Sequence, residues 1–160
     1  MVKRLPTIVI VALLLASLVQ AVHYHPRLPE RVAVHFGFGG QADGWGSKAF
    51  LCGFAAVFPA AMAGVLLGSV WLIRWLPASM VNLPHKAYWL APERIEKTRR
   101  RIAGPMQWFA AATVGLLVGV NSLVYRANLL AEPRLGEGMF WILMGMYLVV
   151  TASWEAWSYR

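Results

Sequence analysis

Histidine and carboxylate side chains can move protons or hold a divalent ion, and in this 160-residue chain three of the four histidines fall between His23 and Lys48, where His23, His25, His35 and Asp43 stand close in sequence. His23 and His25 would share one face of an extended chain, but a metal centre needs a tightly defined ligand set, and this spacing defines none. The expectation is therefore no metal and no cofactor. His35 with Asp43 could serve as an acid and base pair if folding brought them within hydrogen-bond reach. No nucleophile or metal motif accompanies them, so no catalytic residue is assigned and the chain is not expected to be an enzyme. Gly37, Gly39 and Ala42 match a dinucleotide-binding fingerprint loosely, yet no helix follows and there is no room for a βαβ unit. Cys52 is the only cysteine, which excludes an intrachain disulfide or a cysteine cluster.

The elements that must position these residues are apolar. Of all residues 59% are hydrophobic and only 14% charged, too little charge to cover a soluble domain. About 30 Å of hydrocarbon takes roughly 20 apolar residues in a helix. Four runs qualify, at approximately 5–22, 49–73, 105–125 and 139–157. They predict an all-α membrane protein, a four-transmembrane-helix bundle forming one membrane domain over residues 1–160, with loops at 23–48 and 74–104. Basic residues resist translocation, and they fall ten to five in favour of the side holding Lys3, Arg4, Arg74, Lys86, Arg94, Lys97, Arg99, Arg100, Arg101 and Arg160. Both termini are thus expected inside, and the 23–48 loop outside. Trp71, Trp75, Trp154 and Trp157 mark inner ends, while Trp45, Tyr125 and Trp141 mark outer ones. The formal charge of +8 is explained by this placement, and no nucleic-acid partner is implied. A cleaved signal peptide is the rival reading of the first run, which is longer than a usual signal core.

Small residues recur every fourth position at Ala56, Ala60, Gly64 and Gly68 in the second run and at Ala111, Gly115 and Gly119 in the third. Without water in the hydrocarbon, close backbone approach along such stripes supplies the packing energy, so the second and third helices should touch there. Homo-oligomerisation through either stripe is the alternative use. Pro59 should bend its helix. Gln107, Thr113, Asn121 and Ser122 are the polar groups of the third run, and interhelical hydrogen bonding accounts for them better than an ion pathway does.

In the first loop, Arg31 to Phe36 alternates, with Val32, Val34 and Phe36 on one face and Ala33 and His35 on the other. This predicts a short extended extracytoplasmic cap between the first two helices, closed by a glycine-rich turn in which Asp43 and Gly44 take part and which ends at Trp45. His35, Phe36, Asp43, Trp45 and Lys48 are the candidate residues for a ligand or partner here. In the second loop, Pro92 suits a helix start, with a helix running through Arg101, and Tyr88 and Trp89 form an interfacial pair that is the candidate inner contact. Anionic headgroups are the natural neighbours of Arg99, Arg100 and Arg101.

Two separated motifs carry a family resemblance. The run Leu28, Pro29, Glu30, Arg31, Val32, Ala33, Val34, His35, Phe36, then Gly40, Asp43, Gly44, Trp45, Gly46, Ser47 and Lys48, resembles a domain of unknown function of bacterial membrane proteins, which also forms the N-terminal part of SdpI-type immunity proteins. The run Asn82, Leu83, Pro84, then Tyr88, Trp89, Leu90, Ala91 and Pro92, is similar to the second motif of the short proteins of that group. The resemblance implies a multi-pass protein of the bacterial cytoplasmic membrane. SdpI-type proteins confer immunity to a secreted toxic peptide and couple to a cytoplasmic regulator, but they carry a second membrane domain that this chain is expected to lack. No catalytic residues transfer. The expectation is a non-enzymatic binding or accessory protein whose partners are the lipid bilayer and a membrane protein or peptide. A small oligomeric transporter or channel is the alternative, and an extracytoplasmic or intramembrane enzyme is the weakest reading.

Overall fold

The computed structural model describes residues 4–73, 75–81 and 85–158, with the backbone alone at 73, 78 and 154–158. Expectations for Lys3, Arg74, Asn82, Leu83, Pro84 and Arg160, and for the side chains of Trp154 and Trp157, fall outside what is described. The chain is mostly helical. Helix α1 (Leu5–Tyr24) leads into a hairpin of β1 (Arg31–Phe36) and β2 (Ala42–Ser47), followed by α2 (Lys48–Ile73), a single turn α3 (Lys86–Trp89), α4 (Ile95–Ala127) and α5 (Glu137–Ser158). Three of these, α1, α2 and α4, are long and apolar enough to cross a membrane, and α5 is a shorter apolar helix over its described residues.

The third run lies inside a longer helix than its hydropathy suggests. The third run is read from Pro105, but α4 begins at Ile95 and runs through it, so the helix expected to follow Pro92 and the third apolar run are one element of 33 residues. At 1.5 Å per residue it is about 50 Å long, well beyond a hydrocarbon core. The loop expected over 74–104 is correspondingly shorter and ends at Arg94.

Helix α4 is the centre of the bundle, packing against α1, α2 and α5, while α1 and α2 also pack on each other. Its buried face, Ala110, Ala111, Val114 and Val118, meets Ile10 of α1 and Ala63 of α2. A second cluster sits where the hairpin meets the helices and joins Ala21, Leu28, Val32, Leu51, Cys52, Ala55 and Tyr125. Large apolar residues on the outer faces, such as Ile8, Val19, Val57, Val65, Met146 and Val149, are exposed. That is costly in water and neutral against lipid.

The small-residue stripes divide. Ala111 is buried, a side-chain carbon at Gly115 would meet Leu13 of α1, and one at Gly119 would press on Leu143 of α5 at 3.1 Å. Ala56 packs beside the upper cluster, but Ala60, Gly64 and Gly68 lie on the open face of α2, with nothing near either glycine. Helices α2 and α4 do touch, through a neighbouring face of α2 carrying Ala55, Pro59 and Ala63. The reason is Pro59. A proline has no backbone N–H, so the carbonyl four residues earlier, that of Ala55, loses its helical donor. Two neighbours supply the missing bonds: Ser17 Oγ of α1 donates to Ala55 O at 2.8 Å, and Asn121 Nδ2 of α4 donates to it at 3.1 Å. One freed carbonyl thereby ties three helices and fixes which face of α2 turns inward.

Candidate functional site

The hairpin is antiparallel, with Arg31 opposite Ser47, Val32 opposite Gly46 and Ala33 opposite Trp45, then irregular register to His35 opposite Gly44 and Phe36 opposite Ala42. The turn occupies Gly37 to Gln41, where Gly37 N–H donates to Gln41 O at 2.8 Å and Gly40 N–H to Gly37 O at 3.0 Å. Gly39 and Gly40 hold positive φ, +91° and +71°, which glycine alone adopts cheaply. Asp43, Gly44 and Trp45, expected in the turn, instead belong to a second strand. Gly44 is needed there because any Cβ would sit 2.7 Å from that of His35. The irregular register sets the two polar residues side by side, and His35 Nδ1 and the Asp43 carboxylate share a hydrogen bond.

Both margins of this sheet are fastened to the far end of α4 and the start of α5. Asn128, the residue ending α4, is only 2% exposed and faces the backbone of Ala33. Its Oδ1 accepts from Ala33 N–H at 2.6 Å, and its Nδ2 donates to Ala33 O at 2.9 Å and to Val124 O at 3.0 Å. A carboxamide presents the same donor and acceptor as a strand residue, so Asn128 covers the otherwise bare edge of β1. Val32 and Ala33 are therefore both fully buried, one against the helices and the other under Asn128, which breaks the alternation that sequence suggests. Near the turn, Leu135 N–H donates to Gly40 O at 2.8 Å, and Gly39 N–H donates to Glu137 Oε1 at 2.7 Å. Beneath the sheet Tyr24 and Tyr125 stack with centroids 4.8 Å apart. Among the described residues the buried Tyr125 hydroxyl meets only the weakly bonding Cys52 thiol.

Lys48 begins α2, and its ammonium lies 2.8 Å from Glu30 while its N–H donates to Glu30 O at 3.1 Å. The Lys48 hydrogen bond, then its charge, draws the Glu30 carboxyl below the usual range. Lys48 thus fastens the strand to the helix rather than offering a free cation. What remains outward-facing is a small surface: the Arg31 guanidinium lies 5.3 Å from the centre of the half-exposed Trp45 ring, beside the exposed His35 and Asp43 pair. Phe36 is half-buried at the strand end. His23 bonds Arg27 one turn away, and among the described residues no three His, Cys, Asp or Glu side chains gather.

Tyr88 and Trp89 are not part of this surface. They lie at the opposite end of the bundle, where Arg94 covers the Tyr88 ring at 4.1 Å and Arg101 approaches Trp89 at 5.9 Å. Thr98 Oγ1 donates to Trp89 O at 2.8 Å and Arg99 Nη2 to Leu76 O at 2.8 Å, so the connection is folded against the first turns of α4. Sequence reasoning missed Asn128, Ser17 and Glu137. An asparagine directly after the last apolar residue of a helix is a stop signal, but nothing local shows which backbone its amide will meet.

These features define a class: a bundle of apolar helices of membrane-spanning length, closed at one end by a two-stranded cap. Residues 12–62 match the family model described as a domain of unknown function (DUF1648), the family that the first-loop motif resembles. No curated protein and no solved structure matches the chain. The matched residues hold most of α1, the hairpin and the first half of α2 with Pro59, whereas Asn121 and Asn128, which complete the packing and the cap, lie beyond them.

Proposed function

We propose that the chain is a non-enzymatic binding or accessory protein of the bacterial cytoplasmic membrane, crossing it four times with both termini inside and presenting the cap outside. The excess of Lys and Arg on the side opposite the cap supports this orientation. Reporter fusions after Lys48 and within 126–137 are expected to read as extracytoplasmic and one near Arg100 as cytoplasmic; a cytoplasmic reading at Trp45 would invert the topology.

The observation that carries the binding reading is the contrast between the two faces of the hairpin. Its inner face is packed on the helices and its backbone is bonded to Asn128 at Ala33 and to Leu135 and Glu137 at the turn, while Arg31, Trp45, His35 and Asp43 stand outward. A preorganised aromatic and cationic surface lowers the ordering cost of binding. It suits an extracytoplasmic segment of a membrane protein or a peptide, and peptide-toxin immunity is the version that the family resemblance suggests. His35 and Asp43 meet in the open, without the water-excluding surroundings that proton-transfer chemistry uses, so binding is the better use of the pair. Two of the polar groups of α4 are engaged in packing: Asn121 bonds Ala55 O, and Thr113 bonds Phe109 O and lies 3.2 Å from the Tyr147 hydroxyl.

A photo-reactive amino acid at Trp45, activated in native membranes and followed by mass spectrometry, tests the reading. A discrete adduct that His35→Ala or Asp43→Ala diminishes is the expected result. Labelling no different from that of a probe at Val57 on the outer face of α2 would remove the cap as a recognition surface.

A further inference from the structure

Phe38 is fully exposed at the tip of the hairpin, with no packing partner for its ring. Such a position is expensive for an aromatic residue in water, and the neighbouring glycines give no reason for an aromatic there. The tip does not float freely. Gly39 N–H is bonded to Glu137 Oε1, Gly40 O accepts from Leu135 N–H, and Gln41 pairs with Arg134. These contacts hold the tip level with the first turn of α5. Just beyond lie Met139, Trp141 and Ile142, all exposed, on a helix that packs against α4. In a membrane-spanning bundle this is where a helix enters the bilayer, with methionine and tryptophan at headgroup depth and isoleucine leading toward the acyl chains.

We propose that the hairpin tip is a lipid anchor: Phe38 places its ring in the interfacial layer of the leaflet at the cap end, beside the entry of α5, with the exposed Arg134 among the headgroup phosphates. The inference rests on the membrane-spanning reading of the bundle. An aromatic ring belongs at this depth, where its apolar body leaves water without entering the hydrocarbon centre. The occupant is the bilayer itself, because the tip is continuous with a lipid-facing helix face. The anchor fastens the cap at the end remote from Lys48, so that the sheet is held by protein along β1 and by lipid at its turn.

The single cysteine makes the test direct. In a Cys52→Ala background, nitroxide labels at Phe38→Cys, at His35→Cys on the outer face of the sheet, and at Ile142→Cys are compared in liposomes for collision with oxygen and with a water-soluble nickel chelate. The label at 38 is expected to resemble that at 142, with an oxygen-to-nickel ratio several-fold above that at 35. A water-like ratio at 38 with a lipid-like ratio at 142 overturns the anchor and leaves the membrane reading intact, whereas water-like ratios at both overturn the two together. Shielding of 38 from both reagents signals a protein partner or a second copy and also overturns it. In the chain retaining Cys52, Phe38→Ser is expected to speed amide exchange at Gly39 and Gly40 at least several-fold in liposomes; unchanged exchange contradicts the proposal.

Discussion

The two ends of this bundle are held by different physics. At the cap end the backbone is fixed by buried, fully bonded groups, above all the Asn128 amide on Ala33 and the Ala55 carbonyl shared by Ser17 and Asn121. At the other end, the connection through α3 is held by exposed guanidinium groups over aromatic rings and by side chains reaching isolated carbonyls, with only the bonds of Thr98 and Arg99 partly buried among those described. Bonds sealed from water are costly to break because the freed groups find no substitute, while exposed ones exchange with solvent or headgroups at little cost. The cap is thus built to keep one shape, and the opposite end to adjust to its surroundings.

The sharpest way to break this contrast is Asn128→Leu. It strands the Ala33 N–H and carbonyl in a buried site, at on the order of 1–3 kcal/mol for each orphaned group. Amide exchange should accelerate across Arg31 to Phe36 and stay unchanged across Lys86 to Trp89; equal acceleration at both ends would mean that they do not behave as separate units. Next in size is a pair of leucines. Gly119→Leu must displace Leu143 and separate α4 from α5, costing roughly 1–3 kcal/mol as overpacking does, while Gly64→Leu points into open space and should leave detergent melting unchanged. A loss at Gly64 would reveal a partner on that face, a second copy being the simplest.

Ser17→Ala and Asn121→Ala each leave the Ala55 carbonyl one donor, and each should lower stability by about 0.6 kcal/mol, the scale of interhelical bonds in membranes. The double variant should cost more than the sum, because only then is the carbonyl bare. Pro59→Ala, which restores a helical donor, should relieve that excess. Strict additivity in melting would show that the two bonds do not share the carbonyl.

The smallest effect is at Glu30. Its carboxyl titrates below the usual range through Lys48, so its contribution to the cap is complete above the usual carboxylate pKa and is lost as pH falls through the lowered folded value. Exchange at Lys48 should rise over that acidic window in the native chain, and Glu30→Gln should flatten the rise. A pH response unchanged by the substitution would assign it elsewhere.

Hydropathy and spacing determine much of this protein. Apolar runs of helical length, the alternation at Val32 to Phe36 and the proline in the second run are local properties, and each appears as a helix, a strand or an internal helix proline. The candidate surface was partly legible for the same reason: Trp45, His35 and Asp43 are polar or aromatic residues in a short strand-like loop, where alternation puts side chains outward. Local pattern could not decide that the helix after Pro92 and the third apolar run are one element, because a proline such as Pro105 removes a backbone donor and ordinarily marks a boundary. Nor could it choose between two adjacent faces of α2 that are both small and apolar. That choice falls to Pro59, whose missing N–H acts only through residues 38 and 66 positions away from Ala55. Asn128 teaches the same lesson, since it clamps a backbone 95 residues distant. A sequence specifies which groups must be satisfied, but only the packed chain decides which partner satisfies them, because hydrogen bonding depends on position in space and not on order along the chain.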